Sequence, residues 1–218
     1  MTAEIAIFGA GGYAFSVAEA AQAAGDWRVA CFICDDGEPA RGQAGIPVLR
    51  ESEWLADGGG PSTGVVAIGD NWTRQEVVKR ILRARPGFAF CSIVHPAAVV
   101  APSARLGTGT VVLAGSVVGS RTQIGQHFSI FSNAVAEHDS ALGDFGSLAP
   151  GAILGGAVRL GARSFVGLGA SVLHSVTIGA DAVIGAGSVV VADCPGLVVL
   201  AGAPARITRQ RRADEPYL

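Results

Sequence analysis

Between Val100 and Val190 a large aliphatic residue returns at every sixth position. The series is Val100, Leu106, Val112, Val118, Ile124, Ile130, Ala136, Leu142, Leu148, Leu154, Leu160, Val166, Val172, Ile178, Ile184 and Val190, with Ala136 its one small member. A period of six matches neither the turn of an α-helix nor the alternation of a strand. It is the period of a hexapeptide β-helix, in which each hexad supplies a short strand and a corner. The aliphatic points into a triangular prism, three hexads complete one coil, and residues eighteen apart stack. Glycine often follows the aliphatic, as at Gly107, Gly125, Gly161 and Gly179, and is expected to let the backbone turn without a Cβ clash. The fifth hexad position is nearly always small (Thr110, Ser116, Ala134, Ser140, Gly146, Ala152), which suits a narrow core. With stacked strands ~4.8 Å apart, about five coils make a prism roughly 25 Å long.

Residues 1–92 carry a different pattern. EIAIF reads as a buried strand, GAGGYA as a glycine loop, and FSVAEAAQAAG as a helix ending at Gly25. WRVACFIC is a second strand, IPVL a short third, and a helix is expected after Ser52. GVVAIG is another strand, Asp70 or Asn71 can cap a helix running to Arg85, and DGGGPSTG (57–64) reads as a surface loop. Strands alternating with helices predict a small Rossmann-like parallel sheet covered on its faces. The fold expected is therefore an α/β domain over 1–92, a hinge near His95-Pro96, and a β-helix with a C-terminal tail over 93–218.

A chain of 218 residues with formal net charge −2 offers no electrostatic case for nucleic acid. Lys79 is the sole lysine, so a lysine nucleophile is not expected. Cys31 and Cys34 form a CxxC inside a strand-like run followed by Asp35 and Asp36, the reverse of the setting that stabilises a thiolate. These thiols, with Cys91 and Cys194, read as reduced and packed. No leader or 18-residue apolar run is apparent, and the expected location is the cytoplasm.

Two segments carry candidate chemistry. Gly9-Ala10-Gly11-Gly12-Tyr13-Ala14 fits GxGxx[G/A] between a strand and a helix, where backbone N–H groups can approach a phosphate. Asp35 and Asp36 end the next strand. A domain of this size is half of a dinucleotide fold, so a nucleotide-linked sugar fits it better than NAD. The second segment is the lapse in the ladder, Ala136-Glu137-His138-Asp139. A histidine beside carboxylates is suited to proton abstraction, and Gly156, one coil on, offers a bare N–H near the imidazole as an oxyanion donor. His174 lies two coils above His138, roughly 10 Å away by strand spacing, too far to share one metal within a single prism.

With GAGGYA, the Cys34-Asp35-Asp36 turn, AIGDN, EHDSALGDF and the late AGAPAR together, the whole chain resembles the sugar acetyltransferases of the sialic-acid O-acetyltransferase/bacillosamine N-acetyltransferase type. That resemblance implies a left-handed β-helix, a homotrimer with active sites between subunits, acetyl-CoA as co-substrate, and acetylation of the amino group, at C4, of a UDP- or GDP-linked deoxysugar. O-acetylation of a free sugar or glycan is the alternative, and a silent scaffold a further one. By the resemblance His138 is the general base, Asp139 raises its basicity from a corner conformation with Glu137 in reserve, and Gly156 holds the oxyanion in a direct attack. Acetyl-CoA contacts fall on Ser147, Leu168 and Ala186, and Arg206, with Arg209, Arg211 and Arg212 behind it, is placed to meet its phosphates. Nucleotide-sugar contacts fall on Gly11, Gly12, Tyr13, Asp35, Asp36 and Gly69. Tyr13, Phe131 and Ser147 depart from the residues usual in relatives. No metal is expected: the γ-class carbonic anhydrases share this helix and the spacing from His138 to His174, but their third ligand position is Gly179 here.

Overall fold

The computed structural model describes residues 3–36, 45–57 and 60–217. Its first part is a parallel sheet of β1 (Ala3–Phe8), β2 (Trp27–Cys34), β3 (Val48–Arg50), β4 (Thr63–Val66) and β5 (Ala89–Phe90), in the order β3-β2-β1-β4-β5. Three helices cover it: α1 (Gly12–Ala24), α2 (Glu51–Asp57) and α3 (Asn71–Ala84). Both faces of β1 are buried, which is why it reads as a continuous apolar run. Ile5 and Ile7 pack with Ala14, Val17 and Ala21 of α1, while Ala6 and Phe8 pack with Trp54 of α2 and Val77 and Ile81 of α3.

The helix ends follow their local chemistry. α1 stops at Gly25, whose φ of 77° is left-handed and whose N–H donates to the carbonyls of Ala21 and Gln22, a termination that favours glycine. Asp70 caps α3 by accepting from Thr73 N at 2.8 Å. α2 begins at Glu51, two residues before the start expected after Ser52. The predicted loop over 57–64 lies partly outside the described residues. Cys31 and Cys34 face opposite sides of the sheet, so alternation along β2 keeps the CxxC thiols apart.

From Ile93 onward, two-residue strands repeat every six residues and pair in parallel with strands eighteen residues away, as Val117–Val118 does with Val99–Val100 and Val135–Ala136. Three faces result. One carries Val99, Val117, Val135 and Ile153 outward, the second Arg105, Gln123, Ala141 and Arg159, and the third Val111, Ser129, Ser147 and Phe165. The aliphatic ladder fills the interior. Phe128 breaks the small-residue rule at the fifth position, and Gly146 directly above makes room for it: a Cβ there would lie 2.4 Å from Phe128 Cε2.

The glycine after each aliphatic has a different purpose from the one expected. The left-handed turn falls two residues later, on Arg121, His127, Asn133, Asp139 and Phe145 among others, with φ between 52° and 61°. A non-glycine residue there costs about 1–2 kcal/mol, offset by the stacking of coils. The earlier glycine is required because coils approach closely: a Cβ on Gly161 would sit 2.3 Å from Ala180 N.

One apolar cluster joins the two parts. Ile93, Val111 and Leu113 of the first coils belong to the same cluster as α1. After the last coil, Val198–Gly202 pairs with Val183–Ile184 and folds back as an antiparallel hairpin with Ala205–Gln210. The chain then returns to the N-terminal part, where Tyr217 packs against Phe165 and accepts from Asn71 N at 2.9 Å.

Candidate active site

His138 and Asp139 occupy the corner between the apolar and polar faces. Adjacent residues on a strand point apart, but Asp139 has φ of 60°, and this left-handed turn swings its carboxylate beside the preceding ring. His138 Nδ1 lies 2.8 Å from Asp139 Oδ2. Arg121, one coil below, donates to both oxygens of the same carboxylate, at 2.6 and 2.7 Å. Its guanidinium first, and the His138 hydrogen bond second, hold the Asp139 carboxyl at a pKa of about 2. Glu137 contributes a long contact of 3.4 Å to His138 N and none to the ring. On its other side the imidazole rests on Gly156, where a Cβ would come within 2.7 Å of both Cε1 and Nε2. Among the described residues the Gly156 N–H has no backbone acceptor. With Nδ1 turned to Asp139, Nε2 is the ring nitrogen on the Gly156 side.

The glycine loop follows β1 at the crevice where the strand order reverses, the ordinary ligand position of an open α/β sheet. Gly9 is forced by geometry: its φ is 124°, and a Cβ would meet Ala67 O at 2.6 Å. Gly11 and Gly12 are exposed and a Cβ on either would touch nothing within 4 Å, so backbone packing does not account for them. A cavity of about 330 Å³ lies beside the loop, lined by Gly9, Asp35, Ile68, Thr73 and Arg80 among others. Asp36 turns instead to α2, accepting from the Ser52 hydroxyl at 2.9 Å. Tyr13 is half-buried against the prism, donating to Ser129 Oγ at 2.8 Å and packing on Phe131 with ring centroids 4.6 Å apart. These two departures from the resembling family thus contact each other.

Leu168 and Ala186 are exposed and stack at a second corner, on the opposite edge of the apolar face from His138. Ser147 does not join them, which corrects its placement against acetyl-CoA. It is fully buried, donating to Asn71 Oδ1 at 2.6 Å and accepting from Arg74 at 3.2 Å. Arg74, 1% exposed, donates to the carbonyls of Ile68, Gly69, His127, Phe145 and Gly146. The Gly69 carbonyl therefore faces this network. In the basic tail Arg211 is buried and bonded to Asp181 O, whereas Arg209, paired with Glu215, and Arg212, paired with Asp214, stay exposed. Arg206 remains exposed on the hairpin, beside Val191 and Ile207. Among the described residues no three His, Cys, Asp or Glu side chains converge as a metal site.

This arrangement has close structural counterparts. A mutant of GDP-perosamine N-acetyltransferase from Caulobacter crescentus, in complex with CoA and GDP-perosamine, is 39% identical with a TM-score of 0.89, over 96% of this chain and 99% of its own. The chain belongs to the perosamine/bacillosamine-type N-acetyltransferases of the hexapeptide-repeat family. The acetyltransferase domain of PglB from Neisseria gonorrhoeae, in complex with acetyl coenzyme A, gives 32% identity and a TM-score of 0.86, over 95% and 100%. WeeI from Acinetobacter baumannii gives 25% and 0.82, over 94% and 99%. The PglD N-terminal domain family matches residues 4–81. No curated protein sequence matches. The fold is thus an α/β domain followed by a left-handed β-helix, and this member of the family is an acyltransferase.

Several residues of the acetyltransferase escaped the sequence reading. Arg121 was findable, because it stands eighteen residues before Asp139 and the stacking rule applies to charges as it does to aliphatics. Asn71, Arg74 and Tyr217 meet through contacts between the two parts, for which the linear pattern carries no signal. No helix among the described residues is long and apolar enough to cross a membrane.

Proposed function

We propose that the enzyme transfers the acetyl group of acetyl-CoA to the amino group, at C4, of a nucleotide-linked amino-deoxysugar, with His138 as general base. The observation that carries this reading is the imidazole held between the Asp139 carboxylate, 2.8 Å from Nδ1, and the bare Gly156 backbone. Asp139 stays ionised and fixes the tautomer with the proton on Nδ1, so Nε2 is the acceptor. As the sugar amine attacks the thioester carbonyl, Nε2 takes its proton, the Gly156 N–H receives the developing oxyanion, and CoA leaves as the thiolate. No acyl-enzyme is required: the four cysteines are buried, and Ser140 is buried toward the Gly155 carbonyl.

The open Gly11 and Gly12 at the start of α1, the adjoining cavity and the GDP-perosamine bound by a relative support a nucleotide-sugar at the N-terminal domain. Leu168 and Ala186 offer an exposed track for the pantetheine, with Arg206 toward its phosphates. His138 and that track lie on different corners of one prism. The face between them stacks Val99, Val117, Val135, Ile153, Ser171 and Val189 in one row, apolar but for Ser171, and Val99 and Ile153 are 63% and 46% exposed. An apolar strip of this kind is suited to another copy of the chain. We take the working form to be a homotrimer, in which His138 of one copy faces the Leu168–Ala186 corner of the next.

The test is a screen of GDP-, UDP- and dTDP-linked 4-amino sugars with acetyl-CoA, following thiol release. One amino sugar should turn over, and His138→Ala should lower kcat at least ~100-fold with the fold intact. Unchanged turnover in His138→Ala, or turnover only with sugar hydroxyls, would overturn the reading.

A further inference from the structure

We infer that Arg121 is a positioning residue of the acetyltransferase, holding Asp139 so that a single orientation of the His138 ring is productive. The inference rests on the general-base reading above. Arg121 and Asp139 are eighteen residues apart, and both sit in left-handed turns, with φ of 59° and 60°. Their side chains therefore leave the corner in parallel, and the fork of the guanidinium closes on both carboxylate oxygens. Asp139 Oδ2 is shared, receiving Arg121 Nη2 at 2.7 Å and lying 2.8 Å from His138 Nδ1. A carboxylate gripped on both oxygens cannot rotate, so the plane in which it meets the imidazole is fixed by Arg121.

The prism contains a second copy of this geometry. Arg163 and Asp181, also eighteen apart with φ of 57° and 59°, pair through the same atoms at 2.7 and 2.6 Å. There the residue before the aspartate is Ala180, and the pair is more deeply buried, against Trp72. The two-pronged bridge is thus what the coil spacing yields whenever arginine stands beneath aspartate at a corner. At Asp139 the same device is exposed, its side chains 65% and 38% accessible, where an ion pair adds little to stability. What distinguishes it is the histidine on the shared oxygen.

The experiment compares Arg121→Met and Arg121→Lys with wild type in the complete protein, measuring kcat, both KM values and the melting temperature. Arg121→Met should lower kcat about tenfold or more while leaving both KM values within about twofold. Arg121→Lys keeps the charge without the fork, so it should restore only part of kcat. A kcat within twofold of wild type in Arg121→Met, a loss confined to KM, or full rescue of kcat by Arg121→Lys would overturn the inference. Wild-type turnover that is indifferent to His138→Ala would instead remove the general-base reading on which it stands.

Discussion

Replacing Gly156 by alanine puts a methyl group 2.7 Å from Cε1 and Nε2 of His138. Carbon and nitrogen atoms settle at about 3.5–4 Å, so the ring must retreat by roughly 1 Å. The backbone at Gly156 is not in the left-handed region and accepts alanine without strain. The imidazole is more than half exposed and has solvent to move into. Folding should therefore be nearly unaffected, while the hydrogen bond to Asp139 and the aim of Nε2 are both disturbed. A misplacement of ~1 Å at a reacting group costs on the order of 100-fold in rate. Steady-state kinetics with acetyl-CoA and the accepted sugar should show that loss in kcat, with KM values within about twofold and melting within about 2 °C. Gly87→Ala, where a Cβ meets nothing within 4 Å, is the control. Full activity in Gly156→Ala would refute the placement of the ring against the next coil as the catalytic pose.

Gly146→Ala drives a methyl into the fully buried Phe128 and should cost about 1–3 kcal/mol in urea unfolding, with Phe128→Leu recovering part of it in the double variant. His127 is buried between Phe90 and Phe145, and burial lowers its pKa to about 4. The unfolded chain binds that proton below pH ~6.5 and the folded chain only near 4, so stability should fall between those values and level off below. The drop is on the order of 3 kcal/mol, and His127→Phe should flatten it in unfolding curves at pH 7.5 and 4.5. If the site lies between copies, mixing His138→Ala with Leu168→Arg, each inactive alone, should restore a fraction of wild-type turnover; no recovery after subunit exchange would place the whole site on one chain. Tyr217→Phe removes the hydroxyl that contacts Asn71 N and Gly69 O, and should raise KM for the sugar nucleotide more than for acetyl-CoA.

The prism was legible because its rule is strictly periodic: once the period of six is seen, stacking at eighteen follows, and with it Gly156 above His138. The Asp139 partnership was legible only as a requirement, since the left-handed turn that satisfies it falls on a non-glycine residue with no sequence mark. Ser147 and Arg211 misled for one reason. Ser147 lies on a surface of the isolated prism that the N-terminal domain covers, and Arg211 lies in the tail, which folds back onto the Asp181 corner and buries it. Periodicity reports on the interior of one element, whereas these positions are decided by what docks outside it.

Arg74 bears on how this enzyme can move. Among the described residues its charged group is hydrogen-bonded in the seam to no carboxylate, only to peptide oxygens and neutral side chains drawn from both halves. Swinging the halves apart would strip those acceptors away at once, and no intermediate angle replaces them. A clamshell motion between the halves is therefore closed to this chain, and a ligand has to enter and leave without the two halves parting.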